Sequence, residues 1–210
     1  MGIAVEGPQI WGFTTEIPKE PIPFRNMECQ FKIYLMGQLF DEGYWVNITG
    51  FLDSLFLTLH NLTRWAVVIA AVIVLWRAYG GWFGKKDWVK ADDRIGMLFV
   101  SFFDIQLLLG LILYFFFSES SKITLANLGV AMANPVNRFF GLEHWLFMVV
   151  ALGIAHAGRG IARKAPDAMR KHKRAALFFT ASTLVMLFAI PWEGLPEIGR
   201  PLFRLFGITF

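Results

Sequence analysis

Cysteine is nearly absent from the 210-residue chain, and charged residues are scarce. The single Cys29 excludes an internal disulfide and the Cys-x-x-Cys-His attachment site of c-type haem. Charged residues make up 17% of the chain, whereas a soluble domain carries about 25%. The first residues lack a basic start and an apolar core, so no cleavable signal peptide is predicted.

Long hydrophobic runs are what the sequence does contain: 56% of it is hydrophobic, with 22 Phe and 8 Trp. Four runs of 18 to 23 residues are almost free of charge, at 54–76, 95–117, 139–158 and 175–192. Each is long enough to cross a hydrocarbon core of about 30 Å as a helix. Because only helices satisfy their own backbone in lipid at these lengths, the sequence predicts an all-α membrane protein, an up-down four-helix transmembrane bundle.

Three regions follow from this pattern. Residues 1–50 are an acidic, proline-containing extension that is too polar to span, and 51–192 form the transmembrane domain. Residues 193–210 alternate Pro and Gly with Leu and Phe, which predicts an interfacial C-terminal segment.

The basic residues predict the orientation of the bundle. They cluster in the connections 77–94 and 159–174, whereas the connection between the second and third spans holds only Lys122 and Arg138. Basic connections face the cytoplasm, which places both termini on the outer side of the membrane. The net charge of +4 lies in these connections and does not indicate nucleic-acid binding.

Two histidines are predicted at one depth. His60 lies seven residues after Asp53, about 10 Å below the outer boundary, and His144 lies six residues after Arg138, about 9 Å below it. In an up-down bundle the first and third helices are diagonal neighbours across a central cavity. The cavity would therefore have an imidazole on either side.

Two interpretations of this pair remain open. His60 and His144 are either the axial ligands of a b-type haem, with Arg64 as the charge partner, or buried donors bonded to Glu143, Asp104 or backbone carbonyls. Gly110, Gly141 and Gly153 provide room for a macrocycle.

Further polar residues lie at membrane depth. Arg64 and Asp104 both fall about 15 Å into the bilayer, which predicts a structural ion pair. Gln106 completes the buried polar set, and Glu143 either orients His144 or is a favourable charge at a helix N-terminus.

His156 and His172 form the alternative second haem site. The simpler interpretation places His172 in a solvated basic loop and His156 near the interface.

The order "LHNLTRW", "DIQLLLGLILYFF", "RFFGLEHWLFMVVALGIAHAGR", "KHKRAALFF" and "IPW" resembles a family of small bacterial four-span membrane proteins, loosely described as cytochrome b-like. The resemblance covers residues 59–192. It implies a four-helix bundle with His60 and the Glu143–His144 pair as signature positions. The extension before residue 50 departs from the compact family pattern and indicates docking to other subunits.

Two functions are therefore expected. The first is a membrane-embedded b-type cytochrome, an electron-transfer subunit of a respiratory or photosynthetic complex with one haem b near the outer face and a link to quinone. The second is a non-catalytic accessory subunit that braces a larger membrane complex. In both, the partners are the lipid bilayer and other membrane subunits, and neither makes the chain a self-contained enzyme.

Overall fold

The computed structural model describes residues 42–206 and 208–209, with the side chains of 42–47 and 209 left undescribed. The chain divides into two compact units, Met1–Ile48 and Thr49–Phe210, and the helix packing and the cavity belong to the second unit. Most of the predicted N-terminal extension lies outside the described residues.

Helices make up about four-fifths of the described chain. The long helices are α1 (Glu42–Phe83), α2 (Lys90–Ile112), α6 (His144–Arg163) and α7 (Ala168–Ala189). Three short helices, α3 (Glu119–Ala126), α4 (Leu128–Ala133) and α5 (Pro135–Arg138), form the connection between α2 and α6. Single π-helical turns, Leu113–Phe117 and Phe139–Glu143, join this connection to the long helices. The C-terminal segment ends in a short antiparallel pair, β1 (Arg204–Leu205) with β2 (Ile208–Thr209).

Within the described residues, three helical stretches are long and apolar enough to cross a membrane: Ile48–Phe83, Lys90–Phe117 and Pro135–Arg163. They contain the first three predicted spans. Helix α7, which contains most of the fourth, is not among them. Its first turns hold Arg170, Lys171, Lys173 and Arg174, so that the uncharged part, 175–189, would reach only about 22 Å.

The outer faces of these helices are apolar. Large side chains such as Trp76, Phe116 and Phe188 are more than 70% exposed. A soluble monomer rarely exposes so many large apolar side chains, and the arrangement is consistent with contact to lipid.

Small residues let the long helices pack closely. Ala71, Ala151, Ala155 and Ala176 are fully buried, and the rings of Phe99, Phe103 and Phe179 fill the space between them. Helix α6 packs most closely on α7, where the Ser182 hydroxyl donates a 2.7 Å hydrogen bond to the Ala151 carbonyl oxygen. Small residues at helix interfaces allow the backbones to approach, which is the usual packing solution in membranes.

His172 contradicts its simpler interpretation as a solvated loop residue. It lies in α7 and is only 2% exposed, because its ring packs against Gly81 and lies 4.9 Å from the Trp88 ring. Any side chain at Gly81 would collide with this ring. The basic run "RKHKR" therefore has one inward-facing member, since the helical period turns His172 toward α1 while its neighbours face outward.

Candidate functional site

A cavity of about 390 Å³ lies among α1, α2, α6, the end of α7 and the C-terminal segment. Its volume falls within the range of pockets that hold small molecules and cofactors. The polar residues that line it are Asp53, His60, Asn61, Arg64, Gln106, Tyr114, Ser118, Ser120, His144, Trp145, Arg200 and Arg204. Leu, Ile, Val, Phe, Met and Pro side chains and the backbone of Gly110 form the rest of the wall.

His60 and His144 lie together in this cavity. The centroids of their rings are 6.4 Å apart, and the ring planes are inclined by 70°. The two imidazoles that were expected at one level of the bundle are therefore neighbours in the structure.

The hydrogen bond of His144 determines which of its nitrogens carries the proton. Nδ1 of His144 lies 2.8 Å from the Ala189 carbonyl oxygen, which can only accept, so Nδ1 donates. Nε2 of His144 has no hydrogen-bond partner among the described residues and is left with its lone pair.

The surroundings of His60 differ. The amide of Gln106 lies with Oε1 beside the Thr63 hydroxyl and with its nitrogen 3.1 Å from Nε2 of His60. With the amide in this orientation, Nε2 accepts and the proton is on Nδ1. Nδ1 is buried without a partner, on the edge of the ring that faces Gly110. Gln106, predicted as part of the buried polar set, contacts one of the two histidines.

The three predicted glycines have different surroundings. A Cβ at Gly110 would lie 3.1 Å from Cε1 of His60, so Gly110 allows the ring to sit against α2. Gly141 packs against Thr124, and Gly153 faces open space.

The predicted Arg64–Asp104 ion pair is wrong. The Arg64 guanidinium donates to the carbonyl oxygens of Leu202 at 2.6 Å and Pro201 at 3.4 Å. Asp104 instead lies 2.8 Å from Nε2 of His156. The depths of Arg64 and Asp104 were counted along two helices, but depth does not tell which face of its helix a residue occupies. Asp104 lies on an exposed face of α2.

His156 and His172 have separate environments. The His156 side chain is 53% exposed and pairs with Asp104, whereas His172 is buried beside Gly81 and weakly bonded to the Asp87 carbonyl oxygen at 3.4 Å. Within the part of the chain that is described, no ring contact joins these two histidines. The alternative second haem site remains a prediction that their surroundings do not support.

Glu143 pairs with Arg138 at 2.9 Å across the π-helical turn before α6. It makes no hydrogen bond to His144, whose orientation comes from Ala189 instead. Its interpretation as a charge at a helix N-terminus stays a prediction, because the helical stretch Pro135–Arg163 begins about two turns before Glu143.

The sequence did not point to the two arginines of the C-terminal segment that line the cavity. Arg200 and Arg204 stand four residues apart in the otherwise apolar run "GRPLFRLF". That pair of isolated charges was the available signal. The fold-back of the segment onto α1, which brings them to the histidines, is not visible in the sequence.

Comparison with known proteins adds no relative: no protein-family model matches the chain, and neither does any curated protein or solved structure.

Proposed function

We propose that the chain is a membrane-embedded electron-transfer subunit that binds one b-type haem between His60 and His144. The observation that carries this proposal is the separation of the two rings. A metal ion midway between centroids 6.4 Å apart would be about 3.2 Å from each. An imidazole that binds a metal through a bond of about 2.0 Å has its ring centre about 3.1 Å from the metal.

The hydrogen bond of His144 also supports it. Ligating histidines usually donate the second ring N–H to a carbonyl or carboxylate, as His144 does to Ala189. The Nε2 lone pair of His60 becomes available to a metal once the Gln106 amide turns away.

The ligand set favours a macrocycle over a bare ion. A structural zinc site takes four protein ligands. Among the described residues, no group of three or more His, Cys, Asp or Glu is arranged to hold a metal. Two imidazoles suit a group that supplies its own equatorial ligands, and haem would supply one-electron redox chemistry here. His60 and His144 would hold it, and the apolar wall would exclude water.

The proposal includes a topology. Four spans in a bacterial inner membrane, with both termini on the outer side, put the cavity near the outer face. An electron partner such as quinol would then approach from that side. The basic connections 77–94 and 159–174 support this orientation.

The second candidate is a non-catalytic accessory subunit. It is favoured by the hydrogen bonds that His60 makes to Gln106 and His144 makes to Ala189, which satisfy one nitrogen of each ring without any cofactor. In this case the exposed apolar faces would contact other membrane subunits.

A spectrum distinguishes the two. The full chain, purified in detergent from a haem-replete host, should show a b-type α-band on reduction and about one haem per chain by pyridine haemochrome assay. His60→Ala and His144→Ala should each abolish retention, whereas His156→Ala, on the same helix as His144, should leave it unchanged. Haem-free wild-type protein, or equal haem in all four proteins, would favour the accessory role.

A further inference from the structure

We infer that the C-terminal segment completes the cavity as a site for an amphiphilic diacid, in which Arg64, Arg200 and Arg204 bind two carboxylates at one end of an apolar body. The inference rests on the proposed function, because the propionates of haem are such a pair. It adds Arg200 and Arg204 as binding residues and gives the C-terminal segment a role in holding the group.

The segment is attached to α1 by specific contacts. The Leu202 carbonyl oxygen accepts from Arg64 at 2.6 Å and from Nε1 of Trp65 at 3.0 Å. The Phe203 ring stacks on Trp65, with centroids 5.1 Å apart and planes inclined by 12°. The Phe206 N–H donates to the Thr58 hydroxyl at 2.9 Å. These contacts hold Arg200 and Arg204 at the cavity wall.

The guanidinium groups at the cavity are not neutralised within the described chain. None of Arg64, Arg200 and Arg204 forms an ion pair with a described carboxylate, and Nε of both Arg64 and Arg204 is buried without a hydrogen-bond partner. A buried N–H without an acceptor is costly, so each of these groups favours a ligand that accepts.

Charge also favours two carboxylates. Among the described residues that line the cavity, the three guanidinium groups face one carboxylate, that of Asp53. With neutral histidines the wall has an excess of two positive charges, which a diacid neutralises. Partial burial, and after it the positive charge of Arg204, lowers the pKa of Arg200 from its ordinary value, so the two arginines repel each other.

The guanidinium group of Arg200 also packs on an aromatic ring. Its guanidinium carbon lies 4.4 Å from the centre of the Phe140 ring, a cation–π distance. The ring covers one face of the planar group, and Nη1 donates to the Gly199 carbonyl oxygen at 3.0 Å. The remaining N–H groups on its edge are available for a contact with a carboxylate.

Four porphyrins test the inference on the full chain: haem, haem dimethyl ester, metal-free protoporphyrin IX and its dimethyl ester. Esterification removes the negative charges while the ring is unchanged. A charge-assisted hydrogen bond is worth about tenfold in affinity. Wild type should therefore bind each free acid about 100-fold more tightly than its ester, and the preference should fall when salt is raised from about 0.05 to 0.5 M.

Variants then assign the preference to residues. Arg200→Gln and Arg204→Gln should each reduce the acid-over-ester ratio about tenfold, and Arg204→Lys should restore part of it. Arg94→Gln, an exposed arginine outside the cavity, is the matched control and should leave the ratio unchanged. Because the key comparison is made on wild type, poor folding of a variant does not remove the test.

Each result has a definite meaning. Equal binding of acids and esters by wild type overturns the inference, as does failure to bind any of the four. Selective binding of metal-free protoporphyrin IX, together with haem binding that His60→Ala and His144→Ala do not weaken, would support the carboxylate site and overturn the proposed haem ligation.

Discussion

The Arg64 guanidinium donates a 2.6 Å hydrogen bond to the carbonyl oxygen of Leu202, 138 residues further along the chain. The contact joins helix α1 to the C-terminal segment beside the histidine pair. A charged donor among apolar helices is stable only with acceptors, and here the backbone of the segment supplies them. The segment is therefore part of the cavity wall, and its attachment should be measurable.

The first prediction concerns that attachment. Trp65→Phe removes the donor to Leu202 but keeps a ring beside Phe203, and Thr58→Val removes the acceptor of Phe206. Each hydrogen bond contributes about 0.5–1.5 kcal/mol. The double variant should therefore exchange the backbone amides of 202–206 about 5- to 100-fold faster, as measured by hydrogen–deuterium exchange with mass spectrometry.

A control for this prediction is Thr180→Val, which removes a hydrogen bond to Tyr79 away from the segment. It should leave exchange in 202–206 unchanged. Exchange as slow in the double variant as in wild type would mean that other contacts hold the segment.

The second prediction concerns two glycines of α6. A Cβ at Gly158 would collide with Cβ of Phe178 on α7, an atom that cannot move without the backbone, whereas a Cβ at Gly160 meets nothing within 4 Å. Gly158→Ala should destabilise by about 1–3 kcal/mol through overpacking. Gly160→Ala should be neutral or stabilise by up to about 1 kcal/mol, because alanine favours helix.

Thermal unfolding in one detergent, followed by circular dichroism, compares these two variants directly. Equal midpoints for Gly158→Ala and Gly160→Ala would contradict the close approach of α6 and α7.

The third prediction concerns Asp104 and His156, which lie 2.8 Å apart on exposed faces of α2 and α6. Removing one partner leaves the other side chain without its hydrogen bond among apolar helices, which is costly. Replacing both partners by apolar residues avoids that cost. Asp104→Leu and His156→Leu should each destabilise by about 1–2 kcal/mol, and the double variant should be close to wild type. Unfolding midpoints of the four proteins in lipid nanodiscs give the coupling.

Strict additivity of the two single effects would show that Asp104 and His156 do not interact. The control pair is Glu119 and Lys122, an exposed ion pair whose removal should change stability by less than about 1 kcal/mol.

Hydrophobic run length and depth predicted part of this structure. They gave the helical class, three helices long and apolar enough to cross a membrane, and the proximity of His60 and His144, because a rise of about 1.5 Å per residue fixes how far each lies from a charged boundary. They failed for Arg64, because the depth of a residue does not determine its partner. Arg64 bonds the backbone of the C-terminal segment instead of Asp104.

Two other features depend on contacts that the sequence does not display. In the sequence His172 is one more member of a basic run, and only the packing of α7 on α1 buries it beside Gly81. Arg200 and Arg204 reach the cavity because the segment folds back, a tertiary arrangement with no periodic signature.

The last prediction concerns the number of spans. In a Cys29→Ser background, single cysteines at Lys85, Lys122 and Leu195, all exposed, report the sides of three connections. If α7 crosses the membrane, Lys122→Cys and Leu195→Cys should react with an impermeant maleimide from outside intact cells, and Lys85→Cys should react only after lysis.

The uncharged part of α7 is short, but its N-terminal Lys and Arg side chains can extend to the interface and lengthen its reach. Reaction of Leu195→Cys only after lysis, together with Lys85→Cys, would make the chain a three-span protein. In a three-span protein the C-terminal segment would lie on the side of the membrane opposite Lys122. In the fold, however, the segment lines the same cavity as residues 118, 120 and 140, which belong to the connection that contains Lys122 and to the turn that follows it. Four spans is therefore the expected result.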